Sequence, residues 1–421
     1  MSIDLLELDL ASEAYRQTLA SLQRRHGAPL ARMTNLFQRV FLLRSPWAPG
    51  LCFVGAQATA HHVGGKKQLM SFGGCALSLE GAFASCFGEA ADRLSQVERA
   101  GDVSLTASLT GVEDRVSDGV AQFARIVLEH CGSPGPMTCD WLAGVRLDGA
   151  ATLVAADWCI RRALAGPLAI PGAALSVGCA AGASLAETRE RALLELVERD
   201  SVSLWWDGGR PGLDISCDAL PDAREALAKL RGQDDTRKTA LIDLTTDLRI
   251  PVVAAYSTDR ENRNFVCGSA ARASLDAAAS AALVEMCQLE VGLQLAALKQ
   301  AQLGAAALGH DDRNHLRRAA QVEVTGDPRF APDPRFAAPA PRGVSSQRTD
   351  ARAVVNVRQM LEQAGIEAAL VDLTRPDIGI AVIKAVAPEL QLAPRRTLCC
   401  PAAPAAICGP GIGRGIIASS R

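Results

Sequence analysis

Acidic residues recur at one fixed distance from a serine at three places in this chain of 421 residues. Each serine is followed eleven positions later by a glutamate, and three positions after that by a second polar residue. Residues three apart lie on the same face of an α-helix, so each helix would present its two polar groups together. The three sets are Ser78, Glu89 and Asp92; Ser184, Glu195 and Glu198; and Ser274, Glu285 and Gln288.

Carboxylates that three helices bring to one depth would repel one another unless a cation lay among them. No Cys/His ligand set stands beside these acids, so an ion with oxygen ligands is expected, and Mg²⁺ bridging to phosphates is the natural choice. For any single copy the alternative is an amphipathic helix with exposed acids, but three copies with one spacing favour a shared site. The predicted metal ligands are Glu89, Asp92, Glu195, Glu198 and Glu285.

The elements that would position these acids can be read from the residues around each serine. Ser184 follows a run of small residues and precedes Glu187 by three, which predicts a capping box and a helix from about Leu185 to Trp205. The same order of small residues, Ser-Leu and a helix recurs at 73–93 and 267–288. Small residues let a backbone turn tightly and let a ligand approach closely.

Three segments, GEAADR, GASLAETRERALLELVERD and ASLDAAASAALVEMCQ, resemble the YcaO family, and the resemblance covers about residues 50–400. It implies a protein that binds ATP with acid-held Mg²⁺ between two sheets and activates a peptide amide. By this resemblance the nucleotide would be contacted by residues of the central motif and by nearby basic residues. The expected contacts are Ser184, Glu187, Arg199, Lys67 and Arg272. Arg199 would bind phosphate or fix Glu195 or Glu198, and Lys67 has a plain surface position as its alternative.

A second repeat predicts the architecture. ALIDLT at 240–245 matches ALVDLT at 369–374, and an apolar strand follows each. We therefore expect an α/β or α+β fold of pseudo-symmetric helix–strand units, with the ligand site between repeats. Asp243 and Asp372 in these turns are expected to cap the backbone rather than to catalyse.

The division of the chain is predicted as follows. Residues 1–50 read as a helical appendage, with LARMTNLFQRVFLL at 30–43 as its second helix, and residues 51–421 as the ATP-binding domain. A first strand at 51–58, a helix at 115–130 and a hairpin turning at Asp148-Gly149 are expected. Residues 309–350 are rich in Pro, Arg and Asp, which predicts a mobile loop whose arginines could reach a polyphosphate or an acidic leader peptide.

Composition limits the remaining possibilities. A net charge of −2 implies no general attraction to nucleic acid or to an anionic membrane. The sequence has no run of about 18 uncharged apolar residues, and its acidic first residues do not suit a signal peptide. We therefore expect a cytoplasmic protein without a membrane span, whose 13 cysteines are reduced and mostly packed in the core.

The function that the resemblance implies is ATP-dependent cyclodehydration, which closes Cys, Ser or Thr of a precursor peptide to an azoline. Expected partners are the precursor peptide, a separate leader-binding subunit and a flavin-dependent azoline oxidase. A homodimer is also expected, because dimers are the commonest oligomers. Two alternatives stay open: a thioamide-forming enzyme and a non-catalytic assembly subunit. The second rests on Ala183 and Ala281, where the family commonly has Asn and a basic residue, and on the missing PxPxP tail.

Overall fold

The computed structural model describes residues 4–7, 28–130, 137–170, 175–330 and 355–390, together with residues 17, 20, 21 and 24. The strands are β1 Asp4–Glu7, β2 Phe37–Ser45, β3 Ala48–His61, β4 Lys67–Ala76, β5 Leu105–Ser108, β6 Thr138–Arg146, β7 Ala151–Ala155, β8 Cys179–Gly182, β9 Leu213–Ile215, β10 Arg237–Asp243, β11 Val252–Asp259, β12 Val266–Ala271, β13 Ala369–Asp372 and β14 Ala381–Val386. The helices are α1 Ala28–Leu36, α2 Leu79–Ser95, α3 Asp118–His130, α4 Leu185–Trp206, α5 Pro221–Arg231, α6 Leu275–Leu303, α7 His310–Gln321 and α8 Val357–Gln363.

The described strands form three sheets. One has the order β1-β2-β3-β4, another β12-β11-β10-β9, and the third β5-β6-β13-β14-β8 with β7 paired to β6. All pairings between these strands are antiparallel. The strands β4, β8 and β12 each stand at the end of their sheet, and each leads directly into one of the three helices that carry the repeated acids.

All three helices begin at the serine that the sequence indicates. The hydroxyl oxygens of Ser78, Ser184 and Ser274 accept hydrogen bonds from the backbone N–H three residues later, at 3.1, 3.3 and 3.4 Å. Each serine is in an extended conformation, as an N-cap residue should be. The fixed serine-to-glutamate spacing therefore places the three glutamates at one distance from the start of their helices.

The second repeat is also structural. Asp243 accepts a hydrogen bond from the N–H of Thr245 at 2.8 Å, and Asp372 accepts the matching bond from Thr374 at 2.9 Å. In both turns the next strand pairs back on the first, β11 on β10 and β14 on β13. The structure therefore contains the duplicated strand–turn–strand units, and both aspartates cap their turns as predicted.

The prediction of a helix through residues 30–43 is wrong for its second half. The helix α1 ends at Leu36, and Phe37–Ser45 is the strand β2, paired with β3 in the sheet that carries β4. Buried Phe37, Val40 and Leu43 recur every third residue, which imitates a helical stripe. A register shift between Phe37 and Arg39 places Phe37 and Val40 in one core cluster, whereas Leu43 faces another.

The mobile loop predicted at 309–350 is ordered in its first part. His310–Gln321 is the helix α7, which packs on α6, and Asp312 fixes its start by accepting from the N–H of Gly309 at 2.7 Å and pairing with Lys299 at 2.7 Å. Residues 331–350 lie outside the described residues. Three of the arginines that prompted the prediction, Arg313, Arg317 and Arg318, lie on α7. Arg329 forms an ion pair with Asp327, two residues earlier, and Arg335 lies outside the described residues.

Among the described residues, α6 is the one helix long and apolar enough to cross a membrane by length and composition. Half of its most apolar 18-residue window is buried inside the protein, and the helix packs on β11, β12 and α5. A core helix passes the same test of composition, so this helix gives weak support to a membrane span. The absence of a membrane span stays a prediction.

Candidate functional site

The repeated acids of all three helices lie around one cleft where β4, β8 and β12 come together. Two adjoining cavities, of about 540 and 680 Å³, share Glu89, Glu195, Glu198, Arg199 and Arg272 in their walls. Asp92 lines the first cavity, and Glu285 lines the second. We call these seven residues the acid cleft. The five acids predicted as a shared site from their spacing are therefore brought together.

Glu198 joins helix α4 to the neighbouring sheet. Its buried carboxylate accepts a hydrogen bond from the hydroxyl of Ser269 at 2.8 Å and from the N–H of Ala271 at 3.2 Å, and both partners are on β12. Arg199 lies 3.4 Å from the same carboxylate. Its nearness to Glu198 is the main reason why the pKa of the Arg199 guanidinium is raised. Arg199 therefore stays charged at any pH at which the protein is folded.

Glu89 and Asp92 occupy the opposite wall, on α2. Glu89 accepts a hydrogen bond from the N–H of Gly73 at 2.7 Å and lies 3.3 Å from Arg93. Asp92 accepts from the side-chain amide of Gln96 at 2.9 Å. Burial raises the pKa of both carboxyl groups, although their hydrogen-bond partners oppose the shift. These partners fix the positions of the two acids, and Arg93 offsets part of the charge of Glu89.

Glu195 and Glu285 carry the clearest electrostatic signal. Burial raises the pKa of Glu195 to about 8, and the negative charges of Asp92 and Glu198 add to the shift against the opposing charge of Arg199. Burial also raises the pKa of Glu285 to about 7, with Glu198 adding to it and Arg199 opposing it. Both acids therefore take up a proton at a higher pH than an exposed glutamate does.

The donor set fits a hard cation. Within residues 28–130, 137–170, 175–330 and 355–390, no three His, Cys, Asp or Glu side chains stand close enough together to surround one metal ion by themselves. Mg²⁺ prefers carboxylate oxygens, keeps several waters, and is usually held by one or two carboxylates together with substrate phosphates. Separate carboxylates around a cleft that also holds two arginines match that pattern of a metal shared with a polyphosphate.

The predicted nucleotide contacts divide into two groups. Arg199 and Arg272 line the acid cleft, and the Arg272 side chain also donates to the carbonyl of Ala271 at 2.7 Å. Ser184 and Glu187 lie at the exposed start of α4, outside both cavity walls, where the Glu187 carboxylate lies 3.6 Å from Arg191. Lys67 is exposed at the beginning of β4 and lines neither cavity. The structure thus brings two of the five predicted contacts to the acids.

Sequence reasoning missed two basic residues of this region. Arg191 lines the cleft and donates to the carbonyl of Ala181 at 3.0 Å; its signal was its place four residues from both Glu187 and Glu195. Lys384 is 1% exposed on β14, where it donates to the carbonyls of Leu175 (2.9 Å) and Val177. Its signal was a lone lysine in an apolar strand.

A cleft of carboxylates and arginines at the meeting point of three antiparallel sheets, in a protein that mixes helices and strands, is chemically suited to a metal ion shared with a polyphosphate. The family model described as YcaO cyclodehydratase, ATP- and Mg²⁺-binding, matches residues 73–391. This match spans well over half of the sequence, so the chain belongs to the YcaO family, whose cofactors are ATP and Mg²⁺. Comparison with curated proteins finds no significant match.

Solved structures share this fold. A heterocyclase in complex with substrate and cofactor matches with a TM-score of 0.65 at 20% identity, over 89% of this chain and 52% of that one. YcaO from Methanopyrus kandleri bound with AMPPCP and Mg²⁺ matches with a TM-score of 0.56 at 17% identity, over 89% and 90% of the two chains. The E. coli microcin synthetase McbBCD complex with pro-MccB17 bound gives 0.59 at 14% identity, over 84% and 89%.

At these low identities the structural matches show the fold alone, and they confirm the mixed α/β or α+β class predicted from the sequence. The chain spans about half the length of the first heterocyclase and 46% of the heterocyclase TruD.

Proposed function

We propose that this protein uses ATP to activate backbone amides of a precursor peptide and so closes Cys, Ser or Thr side chains to thiazolines or oxazolines. The proposal rests on the acid cleft, in which five carboxylates and two arginines from three helices and their strands surround one space. Membership of a family described as ATP- and Mg²⁺-binding cyclodehydratases supports it. The biological setting would be the synthesis of a ribosomal peptide natural product, such as a bacteriocin.

The proposed reaction balances in three steps. The thiol or hydroxyl of the substrate residue adds to the preceding amide carbon and loses its proton, which leaves an oxyanion. The oxyanion attacks the γ-phosphorus of ATP, an oxygen–phosphorus bond forms, and ADP leaves. The carbon–oxygen bond then breaks, phosphate departs with the former amide oxygen, the nitrogen loses its proton, and a C=N bond completes the azoline. The net change removes one water from the peptide and converts ATP to ADP and phosphate.

The residues of the acid cleft have distinct roles in this scheme. Glu89, Asp92, Glu195, Glu198 and Glu285 would hold one or more Mg²⁺ ions, each through one or two carboxylates together with phosphate oxygens, and bound Mg²⁺ would neutralise the charge of the triphosphate. Arg199 and Arg272 supply forked, permanently charged donors suited to phosphate oxygens. Positioning and electrostatic stabilisation are the main demands of phosphoryl transfer, and both could be met by groups of this kind.

Partners complete the proposal. The matching E. coli structure is a complex, McbBCD, that also occurs with pro-MccB17 bound. By analogy, we expect a precursor peptide and a leader-binding subunit here, followed by a flavin-dependent oxidase that converts azoline to azole. We further propose that the assembly works in the cytoplasm, and that a homodimer is its simplest core.

The test is mass spectrometry of a candidate precursor after incubation with the protein, its leader-binding partner, ATP and Mg²⁺. The proposal expects a mass loss of one water per ring and a matching release of phosphate, both abolished in Glu198→Gln. Replacement of oxygen by sulfur in the peptide would instead indicate a thioamide-forming enzyme. An unchanged peptide with no phosphate release, although the complex forms, would indicate the non-catalytic subunit and overturn the proposal.

A further inference from the structure

A third cavity, of about 330 Å³, adjoins the acid cleft along helix α4. It shares Arg199, Ser269, Glu285 and Leu289 with the wall of the larger cavity of the cleft, so the two spaces meet at these residues. Beyond this junction most of the wall is apolar, and its polar side chains are Ser203, Asp207, His315 and Arg318. We call this cavity the apolar pocket, and its main apolar residues are Val202, Trp205, Trp206, Phe265, Leu289 and Leu293.

The far wall of the apolar pocket is preformed by aromatic packing. Phe265 is stacked on Trp206 with ring centroids 5.9 Å apart, and the Arg329 guanidinium lies 3.9 Å from the Trp206 ring centre. Trp205 donates its indole N–H to the carbonyl of Arg329 at 3.0 Å, and Phe330 packs edge-on against it. Aromatic residues make up only 4% of the chain, so their concentration here is a local feature of this wall.

This packing limits what the apolar pocket can accept. Because Trp206 already has a stacked ring and a guanidinium as neighbours, an incoming aromatic ring would find little open ring face. The surfaces that remain for contact with an occupant are ring edges and the branched carbons of Val202, Leu289 and Leu293. Such a wall suits an aliphatic side chain, which gains from burial without needing a stacking partner.

The polar residues in the wall of the apolar pocket indicate where the polar atoms of an occupant would lie. Arg199, Glu285 and Ser269 stand at the junction with the cleft, whereas His315 and Arg318 of α7 stand in the wall contributed by that helix. A peptide whose side chain entered the apolar pocket would leave its backbone at the junction. Its amide would then lie beside the residues assigned to the phosphates.

We propose that the apolar pocket is a substrate subsite that takes the aliphatic side chain of the residue next to the amide being activated. This rests on the proposed function, because it makes the peptide the occupant. It adds a preference that the acid cleft cannot supply: precursors with Leu, Ile or Val next to the cyclised residue bind better than those with a charged residue there. One buried leucine side chain is expected to improve affinity about tenfold or more.

The test uses two short probes, acetyl-Leu-Cys-Gly-amide and acetyl-Asp-Cys-Gly-amide, with the full chain, AMPPCP and Mg²⁺. Ligand-observed NMR is expected to show saturation of the leucine methyl groups and at least about tenfold weaker binding of the aspartate probe. Val202→Trp should fill the pocket and remove the preference. Val63→Trp, at an exposed valine of the β3–β4 turn, is the matched control and should keep it.

Other outcomes are decisive as well. Equal affinity for the two probes, no detectable binding of either, or an unchanged preference in Val202→Trp would overturn the subsite. Calorimetry of Mg²⁺-dependent AMPPCP binding shows whether Val202→Trp keeps an intact cleft, and Leu293→Phe narrows the pocket from α6 if it does not. A leucine preference without azoline formation on a precursor would leave the subsite standing and would defeat the proposed reaction instead.

Discussion

Glu195 and Glu285 determine how the acid cleft responds to pH. Their pKa values of about 8 and about 7 lie above the ordinary carboxyl value of 4.5, chiefly because of burial. Between about pH 4.5 and pH 8 the folded state therefore binds more protons than the unfolded state. The free energy of unfolding must then fall as pH rises through this range. Protonation removes negative charge from the cleft at low pH, whereas at higher pH a bound cation would have to offset that charge.

The first prediction concerns stability without ligands. From pH 5 to pH 8 these two acids should lower the free energy of unfolding by up to about 6 kcal/mol in the absence of Mg²⁺ and ATP. Glu195→Gln, which imitates the protonated acid, should weaken this dependence and be the more stable protein at pH 8. Chemical denaturation across this pH range measures both. A mutant with the same pH dependence as the wild type would show that Glu195 is not the titrating group.

Lys384 is a fully buried cation whose charge acts on the acids of the cleft. Burial raises the pKa of Asp92 and Glu195, and the charge of Lys384 partly offsets both shifts. Its ammonium is held by the carbonyls of Leu175 and Val177, in the segment that leads into β8. Lys384 therefore affects the acids through its charge, although its side chain lines neither cavity of the cleft.

A second prediction follows for Lys384→Met, which keeps the volume and removes the charge. The pH midpoint of Mg²⁺-dependent ATP binding should move upward by about half a unit to one unit, because the carboxylates lose a stabilising charge. Binding titrations at several pH values measure the midpoint. Lys238→Met removes an exposed lysine that bonds to Asn262, and it should leave the midpoint in place. A midpoint that stays or moves downward in Lys384→Met argues against the role.

At the scale of elements, glycines set how closely a helix lies on its strand. A Cβ at Gly268 would stand 2.3 Å from the backbone N of Met286, and one at Gly74 would stand 1.9 Å from that of Cys86. Backbone contact at these glycines lets α6 lie against β12 and α2 against β4. Glu285 and Glu89 are thereby brought to the cleft.

The third prediction tests this close approach. Gly268→Ala should push α6 away from β12, lower the free energy of unfolding by about 1–3 kcal/mol and weaken nucleotide binding, since Glu285 moves with the helix. Gly119→Ala is the matched control, because the nearest atom to its Cβ is at an ordinary 3.6 Å and alanine favours the helix α3. Thermal unfolding and calorimetry measure both effects. If Gly268→Ala behaves like Gly119→Ala, backbone contact does not position Glu285.

Local signals explain which elements could be predicted from the sequence. A serine cap, a fixed spacing and a repeated Asp-x-Thr turn act within a few residues, so the three motif helices and both strand pairs were foreseen. The strand β2 was missed because a register shift and burial on both faces produced a spacing of three. The helix α7 was missed because its composition is polar, while its packing on α6 is a tertiary contact.

The same distinction applies to the candidate site. The five acids could be grouped because three helices repeat one pattern. By contrast, Lys384 and the hydrogen bonds from Ser269 and Ala271 to Glu198 depend on how separate sheets meet. Ser184, Glu187 and Lys67 were assigned from the resemblance, and their part in nucleotide binding stays a prediction.

At the scale of the whole molecule, the cleft exists only where three sheets meet. Glu89 and Glu285 are far apart in the chain, and each lies on a helix that follows the end strand of a different sheet. Glu198 adds hydrogen bonds from α4 to β12 across this junction. A ligand bound at such a junction would stabilise all three units at once, because it binds the folded state alone.

Calorimetry of ATP binding with and without Mg²⁺, on the wild type, Glu195→Gln and Glu190→Gln, measures whether the acid cleft holds the nucleotide. Glu190 is an exposed acid of the same helix that lines neither wall of the cleft. We predict Mg²⁺-dependent binding by the wild type and Glu190→Gln, and a loss of at least about tenfold in affinity for Glu195→Gln, as expected when a metal-holding charge is removed. Equal binding by all three proteins, or none by folded wild type with its partner subunit present, would contradict this prediction.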